Sequence, residues 1–185
     1  MKACLLRAPA AIETNPLEYA DVTMPQPKSG EVLVRMRACG VCRTDLHVIE
    51  GELPPRKSPV IPGHQVVGMV EKQGESAGRF AIGDRVGIAW LYRTDGICEY
   101  CKANAENLCD NPMFTGYSVD GGYAEYIVAP QDLSMRFQRD FSMNKLRRCF
   151  VQESSGSARC GSPVFKRVGA WAFMALAQRL TWRFR

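Results

Sequence analysis

Residues 31–47 read Glu31-Val32-Leu33-Val34-Arg35-Met36-Arg37-Ala38-Cys39-Gly40-Val41-Cys42-Arg43-Thr44-Asp45-Leu46-His47. Polar and apolar side chains alternate from Glu31 to Ala38, the period-two mark of a half-buried strand. A helix is predicted to start near Thr44. Further strands follow outward from this stretch. Gln65 to Lys72 is a β-branched run ending at Gly74, and Gly83-Asp84 opens a turn into Arg85-Val86-Gly87-Ile88-Ala89-Trp90. Gly121-Gly122 leads into Tyr123-Ala124-Glu125-Tyr126-Ile127-Val128. Pro25, Pro27, Pro54, Pro55, Pro59 and Pro62 fall between the runs, where a missing N–H breaks no ladder. The pattern predicts a mainly β chain, a compact barrel with few helices.

The chain has 185 residues, enough for one domain with a real core and an extra segment. With 46% hydrophobic and 23% charged residues, its composition is that of an ordinary globular protein. Met1 to Leu6 is too short an apolar run for a signal-peptide core, and Val168 to Ala177 is too short to span a bilayer. These features predict a cytoplasmic protein without membrane contact. In that reducing setting the eight cysteines read as metal ligands or free thiols rather than disulfides.

Two constellations carry metal chemistry. Cys42 and His64 sit on short segments bounded by Gly and Pro, and the only two histidines, His47 and His64, both fall in this region. The preferred reading makes Cys42 and His64 ligands of a catalytic zinc with an open position for a substrate oxygen. Asp45 is placed to orient a ligand. Thr44 and His47 offer a hydroxyl and an imidazole for relaying a proton. Downstream, Asp95-x-x-Cys98-x-x-Cys101-x7-Cys109 supplies four more potential zinc ligands at close spacing. Two rivals rearrange the same residues. One makes Cys39-x-x-Cys42 a redox pair, which normally needs a strand and a long helix of an α/β sheet. The other groups Cys39, Cys42, Cys98 and Cys101 as a zinc ribbon and leaves Cys109 and His64 without a role. For the Asp95 segment the plain alternative is a metal-free loop with three buried thiols.

In order along the chain stand Gly-x-Cys-x-Thr-Asp-x-His (40–47), Pro-Gly-His-x-x-x-Gly (62–68), Gly83-Asp84-Arg85-Val86, the cysteine segment and Gly121-Gly122-Tyr123-Ala124-Glu125-Tyr126. This ordered set resembles the zinc-dependent medium-chain alcohol dehydrogenases. The resemblance covers residues 1–133, the GroES-like catalytic domain of that family. It implies a partly open β-barrel with a small zinc lobe over about 91–115. It also implies NAD(P)-dependent conversion between an alcohol and an aldehyde. Catalytic zinc falls on Cys42 and His64, relay roles on Thr44 and His47, a cofactor-phosphate contact near Arg43, and structural zinc on the lobe. Members of the family are homo-oligomers, an assembly not expected of so short a chain. Two positions depart from the family pattern. Gln65 replaces the usual Glu after the zinc His, removing a charge near the metal, and Asp95 stands where the first of four lobe cysteines belongs. A carboxylate binds zinc at about 2.0–2.2 Å, so an Asp/Cys3 site is feasible but weaker than Cys4.

Residues 134–185 differ in kind. They hold 11 basic and 2 acidic side chains, against 13 and 17 in the first 133 residues. Such a break suggests a nucleic-acid-binding arm. The segment lacks finger spacing and interleaved aromatics, so a nucleic-acid partner is not expected. Cys149 and Cys160 lie in it without a strand, Gly-rich turn and helix unit, and neither a third catalytic ligand nor a nucleotide domain appears. A frame-shifted translation beginning near Gln131 to Ser134 accounts for this irregular or weakly helical tail. In the frame joining each third base to the next two, Trp171-Ala172 and Met174-Ala175 must both encode Gly. That frame admits a Gly-x-Gly-x-x-Ala turn and a ligand Cys, whereas Met143-Asn144 forces a stop in the other offset. Two other functional classes remain beside the dehydrogenase: a non-enzymatic zinc-binding module and a basic adaptor built on the tail.

Overall fold

The structure, a computed structural model, describes residues 1–136; the predicted tail beyond them, with Cys149 and Cys160, lies outside the described residues. Strands β1 (Lys2–Leu6) and β2 (Leu17–Asp21) pair antiparallel, followed by β3 (Glu31–Gly40) and helix α1 (Arg43–Glu50). Next come β4 (Gln65–Gln73), β5 (Arg85–Ile88), β6 (Leu91–Arg93), the single-turn α2 (Glu99–Lys102) and β7 (Met113–Phe114). Strands β8 (Tyr126–Pro130) and β9 (Ser134–Arg136) close the described chain. Five strands form the main sheet in the order β8-β3-β4-β5-β9, every neighbour antiparallel, curled into a half-barrel. Single bridges from Ala3 to Ala124 and from Leu6 to Val60 fasten β1 across its open side. The mainly β, partly open barrel expected from the sequence is therefore what the described residues form. The last strand, β9, lies past residue 133 and pairs with β5.

Strand β3 departs from the predicted half-burial, since Val32, Leu33 and Val34 are all buried in succession. It lies between β8 and β4, and register irregularities at Leu33/Val34 and Met36/Ala38 bend it so that both faces are covered. Val34, Val66, Val70, Val86 and Ile127 fill the barrel from the strands, joined by Phe80 from the β4–β5 connection. Two predicted strand limits also shift. Trp90 lies outside β5, its carbonyl accepting the Thr115 N–H at 2.8 Å. Residues 121–123 precede β8 because their N–H groups bond to Ile61, Gly63 and Pro62 instead of extending the sheet ladder.

Helix α1 starts where predicted. Cys42 caps it in extended backbone, and the Asp45 carboxylate accepts the Cys42 N–H at 2.9 Å, satisfying a donor the helix itself cannot. Gly51, at φ +82°, ends it in the left-handed conformation that favours glycine. Val48 and Ile49 pack on Leu6, Val60 and Tyr117. From the first turn of α1 the Asp45 carboxylate reaches the His64 ring on the loop before β4. The lobe begins at β6, which is tied to the barrel through buried Glu31. Glu31 Oε1 accepts the Tyr92 hydroxyl at 3.2 Å and Arg93 Nη2 at 3.0 Å, and Oε2 accepts the Lys28 N–H. Among the described residues no helix is long and apolar enough to cross a membrane.

Candidate metal centres

The first centre is organised by one carboxylate. Asp45 is 2% exposed. Its Oδ1 accepts the His64 Nδ1–H at 2.9 Å, while Oδ2 accepts the Cys42 backbone N–H at 2.9 Å. With Nδ1 engaged, the second ring nitrogen is the one left for Cys42, whose thiol and the imidazole perturb each other. Thr44 Oγ1 lies 3.7 Å from Cys42 Sγ. The electrostatics follow from these contacts. The His64 hydrogen bond draws the Cys42 thiol down to about 7 against the opposing effect of burial. Burial pulls His64 down, but the Asp45 and Cys42 contacts outweigh it and raise the imidazole to about 9. Sulfur and imidazole thus lie close enough to perturb each other, a donor pair whose chemistry suits a soft divalent cation.

Other predicted residues take less central places. His47 lies further along α1, half-exposed, with Nδ1 paired to the Glu52 carboxylate. Arg43, the first residue of α1, is exposed. Gln65 is buried beside His64, and its Oε1 has no hydrogen-bond partner among the described residues. Only the lobe described below brings three or more His, Cys, Asp or Glu ligand atoms together among the described residues, so the Cys42 and His64 pair has no third partner there.

The sequence reading missed Trp90, whose ring meets His64 edge-on with centroids 4.9 Å apart. Trp90 stacks on Phe114 at 4.8 Å and on Tyr117 at 5.9 Å, building an aromatic wall beside the imidazole. No spacing rule marks such a residue. It is the apolar end of a predicted strand and reaches His64 only because the chain leaves the sheet there.

The second centre lies in the lobe. One ligand atom each from Asp95, Cys98, Cys101 and Cys109 fall within 4.8 Å of one another. Backbone directs this convergence. Asp95 Oδ1 accepts the Ile97 and Cys98 N–H groups at 2.9 and 3.0 Å, and Cys98 Sγ accepts the Cys101 N–H at 3.4 Å. The Asp95 N–H points to Cys109 Sγ at 3.3 Å, and Asn111 donates to Asp95 Oδ2. The Cys98 and Ile97 amides hold the Asp95 carboxyl well below the usual range. Backbone amides, chiefly that of Asp110, lower Cys98 as well. One carboxylate and three cysteine sulfurs in this arrangement fit a tetrahedral zinc.

Among the described residues the zinc-ribbon grouping does not form, and the redox pair lacks the α/β setting such a pair normally has. Cys39 is apart from the lobe cysteines, packed between the barrel core and the Ile61 and Tyr123 cluster, with its thiol donating to the Gly40 carbonyl at 3.5 Å. It precedes an eight-residue helix on an antiparallel sheet, and Cys39 and Cys42 are both free thiols.

Comparison with known proteins gives a consistent result. The sequence profile described as the alcohol dehydrogenase GroES-like domain matches residues 28–139. An alcohol dehydrogenase of Geobacillus stearothermophilus is 46% identical over 137 residues, covering 74% of this chain and 41% of the relative. A solved NAD-dependent alcohol dehydrogenase is similar with a TM-score of 0.71 at 31% identity, covering 80% of this chain and 42% of that one. A cobalt- and zinc-bound thermostable alcohol dehydrogenase from Pyrobaculum aerophilum gives a TM-score of 0.67 at 30% identity, covering 75% of this chain and 41% of that one. The chain spans less than half the length of the curated relatives it matches.

Proposed function

This chain belongs to the zinc-dependent medium-chain alcohol dehydrogenase family, and from that premise we propose that residues 1–136 form its catalytic domain for NAD(P)-linked interconversion of alcohols and aldehydes. One observation carries the reading: the buried Asp45 carboxylate holds both the Cys42 backbone and the His64 ring, turning sulfur and imidazole toward each other. In this role Cys42 and His64 hold the catalytic zinc, and Asp45 fixes the tautomer and direction of the imidazole. Zinc, when bound, supplies the Lewis acidity that makes an alcohol hydroxyl acidic near neutral pH. Thr44, beside Cys42, takes the substrate proton, and His47 passes it toward solvent with Glu52 as its partner. Arg43, exposed at the start of α1, contacts the cofactor phosphate. Trp90 walls the site with an apolar surface that keeps water from the reacting carbon. Asp95, Cys98, Cys101 and Cys109 hold a structural zinc. The free thiols fit a reducing, cytoplasmic setting.

We propose further that the chain is inactive by itself, because among the described residues Cys42 and His64 meet no third zinc ligand. Zinc counting by mass spectrometry under non-denaturing conditions tests the site assignment. Two zinc atoms per chain are expected, falling to one in Cys42→Ala or His64→Ala. A single zinc, unaffected by either change, would instead favour a non-enzymatic zinc-binding module, a reading that the lobe's complete four-donor set supports. Oxidation of ethanol or benzyl alcohol by the purified chain with NAD or NADP would refute inactivity.

A further inference from the structure

Strands β6 and β7 form a two-stranded ribbon with a different site at each end. Trp90 directly precedes β6 and Phe114 ends β7, so one end carries the aromatic wall beside His64. Past the other end stand Asp95 and Cys109, two of the four lobe donors. The Asp95 N–H points to Cys109 Sγ, and Asn111 Nδ2 donates to Asp95 Oδ2, each at 3.3 Å. These contacts close the neck through which the chain leaves β6 and returns to β7.

The two strands are held unequally. Strand β6 is tied to the barrel, because Tyr92 and Arg93 both donate to buried Glu31. Strand β7 meets β6 through the pairs Leu91↔Phe114 and Arg93↔Met113, with a register irregularity between them. A two-stranded ribbon is marginal in water without further support. At the site end that support is Thr115, whose N–H donates to Trp90 O and whose hydroxyl donates to Ala89 O, both at 2.8 Å. Exposed Arg56 adds one bond to Pro112 O at 3.2 Å. The other end of β7 runs into the lobe. Between residues 94 and 112 Cys109 alone is buried, while Ile97, Tyr100 and Leu108 are exposed. A segment with so little apolar burial depends on hydrogen bonds and metal ligation to stay closed.

We infer that the lobe controls the aromatic wall of the other centre. When Asp95, Cys98, Cys101 and Cys109 hold their cation, the neck is closed and β7 keeps its register. Phe114 is then a positioning residue, holding the Trp90 ring against His64 by the stack at 4.8 Å. With the donors empty the neck loosens, the pairs of β7 fray, and Trp90 loses that support. The inference rests on the structural-zinc reading given above for the lobe.

The test uses the 185-residue chain with Trp171→Phe and Trp182→Phe, which leave Trp90 as its one tryptophan, and with Cys42→Ala, which confines zinc to the lobe. Zinc is added and its occupancy counted by mass spectrometry under non-denaturing conditions. In proportion to occupancy, Trp90 emission should move to shorter wavelength and its quenching by acrylamide should fall. Phe114→Leu, saturated with zinc, should show neither change, whereas Phe114→Tyr, which keeps a ring, should show both. Cys101→Ala, which removes a lobe donor, should leave Trp90 unresponsive to zinc. A lobe that fills without a change at Trp90 overturns the inference and leaves the structural-zinc reading standing. So does a response that survives in Phe114→Leu or in Cys101→Ala. A lobe that takes up no zinc overturns both readings.

Discussion

Asp45 is the residue on which the candidate site turns, because it joins a helix cap to a ligand orientation. Its Oδ2 completes the cap of α1 and its Oδ1 holds the His64 ring. Asp45→Asn keeps the shape but replaces an anion by a neutral amide, which accepts the Nδ1 proton more weakly and can invert the tautomer. Zinc affinity at Cys42 and His64 is expected to fall about 10- to 100-fold, as it does for other partners of metal-bound histidines. Competition with a chromophoric chelator measures this, and an unchanged affinity removes Asp45 from the role. Cys42, Asp45 and His64 were legible in the sequence because ligand chemistry restricts residue type and short loops restrict spacing. Trp90 and Glu52 were not, since their contacts depend on bends and on a strand boundary that composition does not encode.

At the scale of elements, the lobe shows how one substitution changes the character of a loop. Asp95 Oδ1 is already engaged by two backbone N–H groups and Oδ2 by Asn111, so the loop is partly closed by its own hydrogen bonds. A carboxylate so occupied is a poorer zinc donor than a thiolate, for which zinc has the stronger preference. Asp95→Cys is therefore expected to slow zinc release from the lobe to an added chelator, and faster release would overturn the ligand assignment. The strands were legible as elements because hydrophobic runs and turn residues alternate visibly along the chain. Their burial was less so. The β3 pattern reads as one wet face, but flanking strands and two irregularities cover both faces from Val32 to Val34.

Across the whole molecule, burial of neutral titratable groups sets an alkaline limit to stability. Cys4, in the cluster under β1, is pushed up to about 11 from 9.0 by burial, and burial raises Tyr92 and Tyr123 as well. Between pH 9 and 11 the unfolded thiol has lost its proton while the folded one keeps it. The folded state then binds more protons, and stability falls as pH rises through that window. The urea midpoint should hold below pH 9 and decline above it, more steeply in the unmodified chain than in Cys4→Ala; equal slopes would exclude Cys4 as a source. Charge, apolar patterning and ligand chemistry change together near residue 134, within a few residues of the last described strand, as a single shift of reading frame would produce. Nucleotide sequencing across codons 130 to 145 and onward is expected to find the offset frame open and encoding a Gly-x-Gly-x-x-Ala turn preceded by a ligand Cys. An offset frame that is closed, or open without that turn, would make residues 134–185 a true extension with its own history.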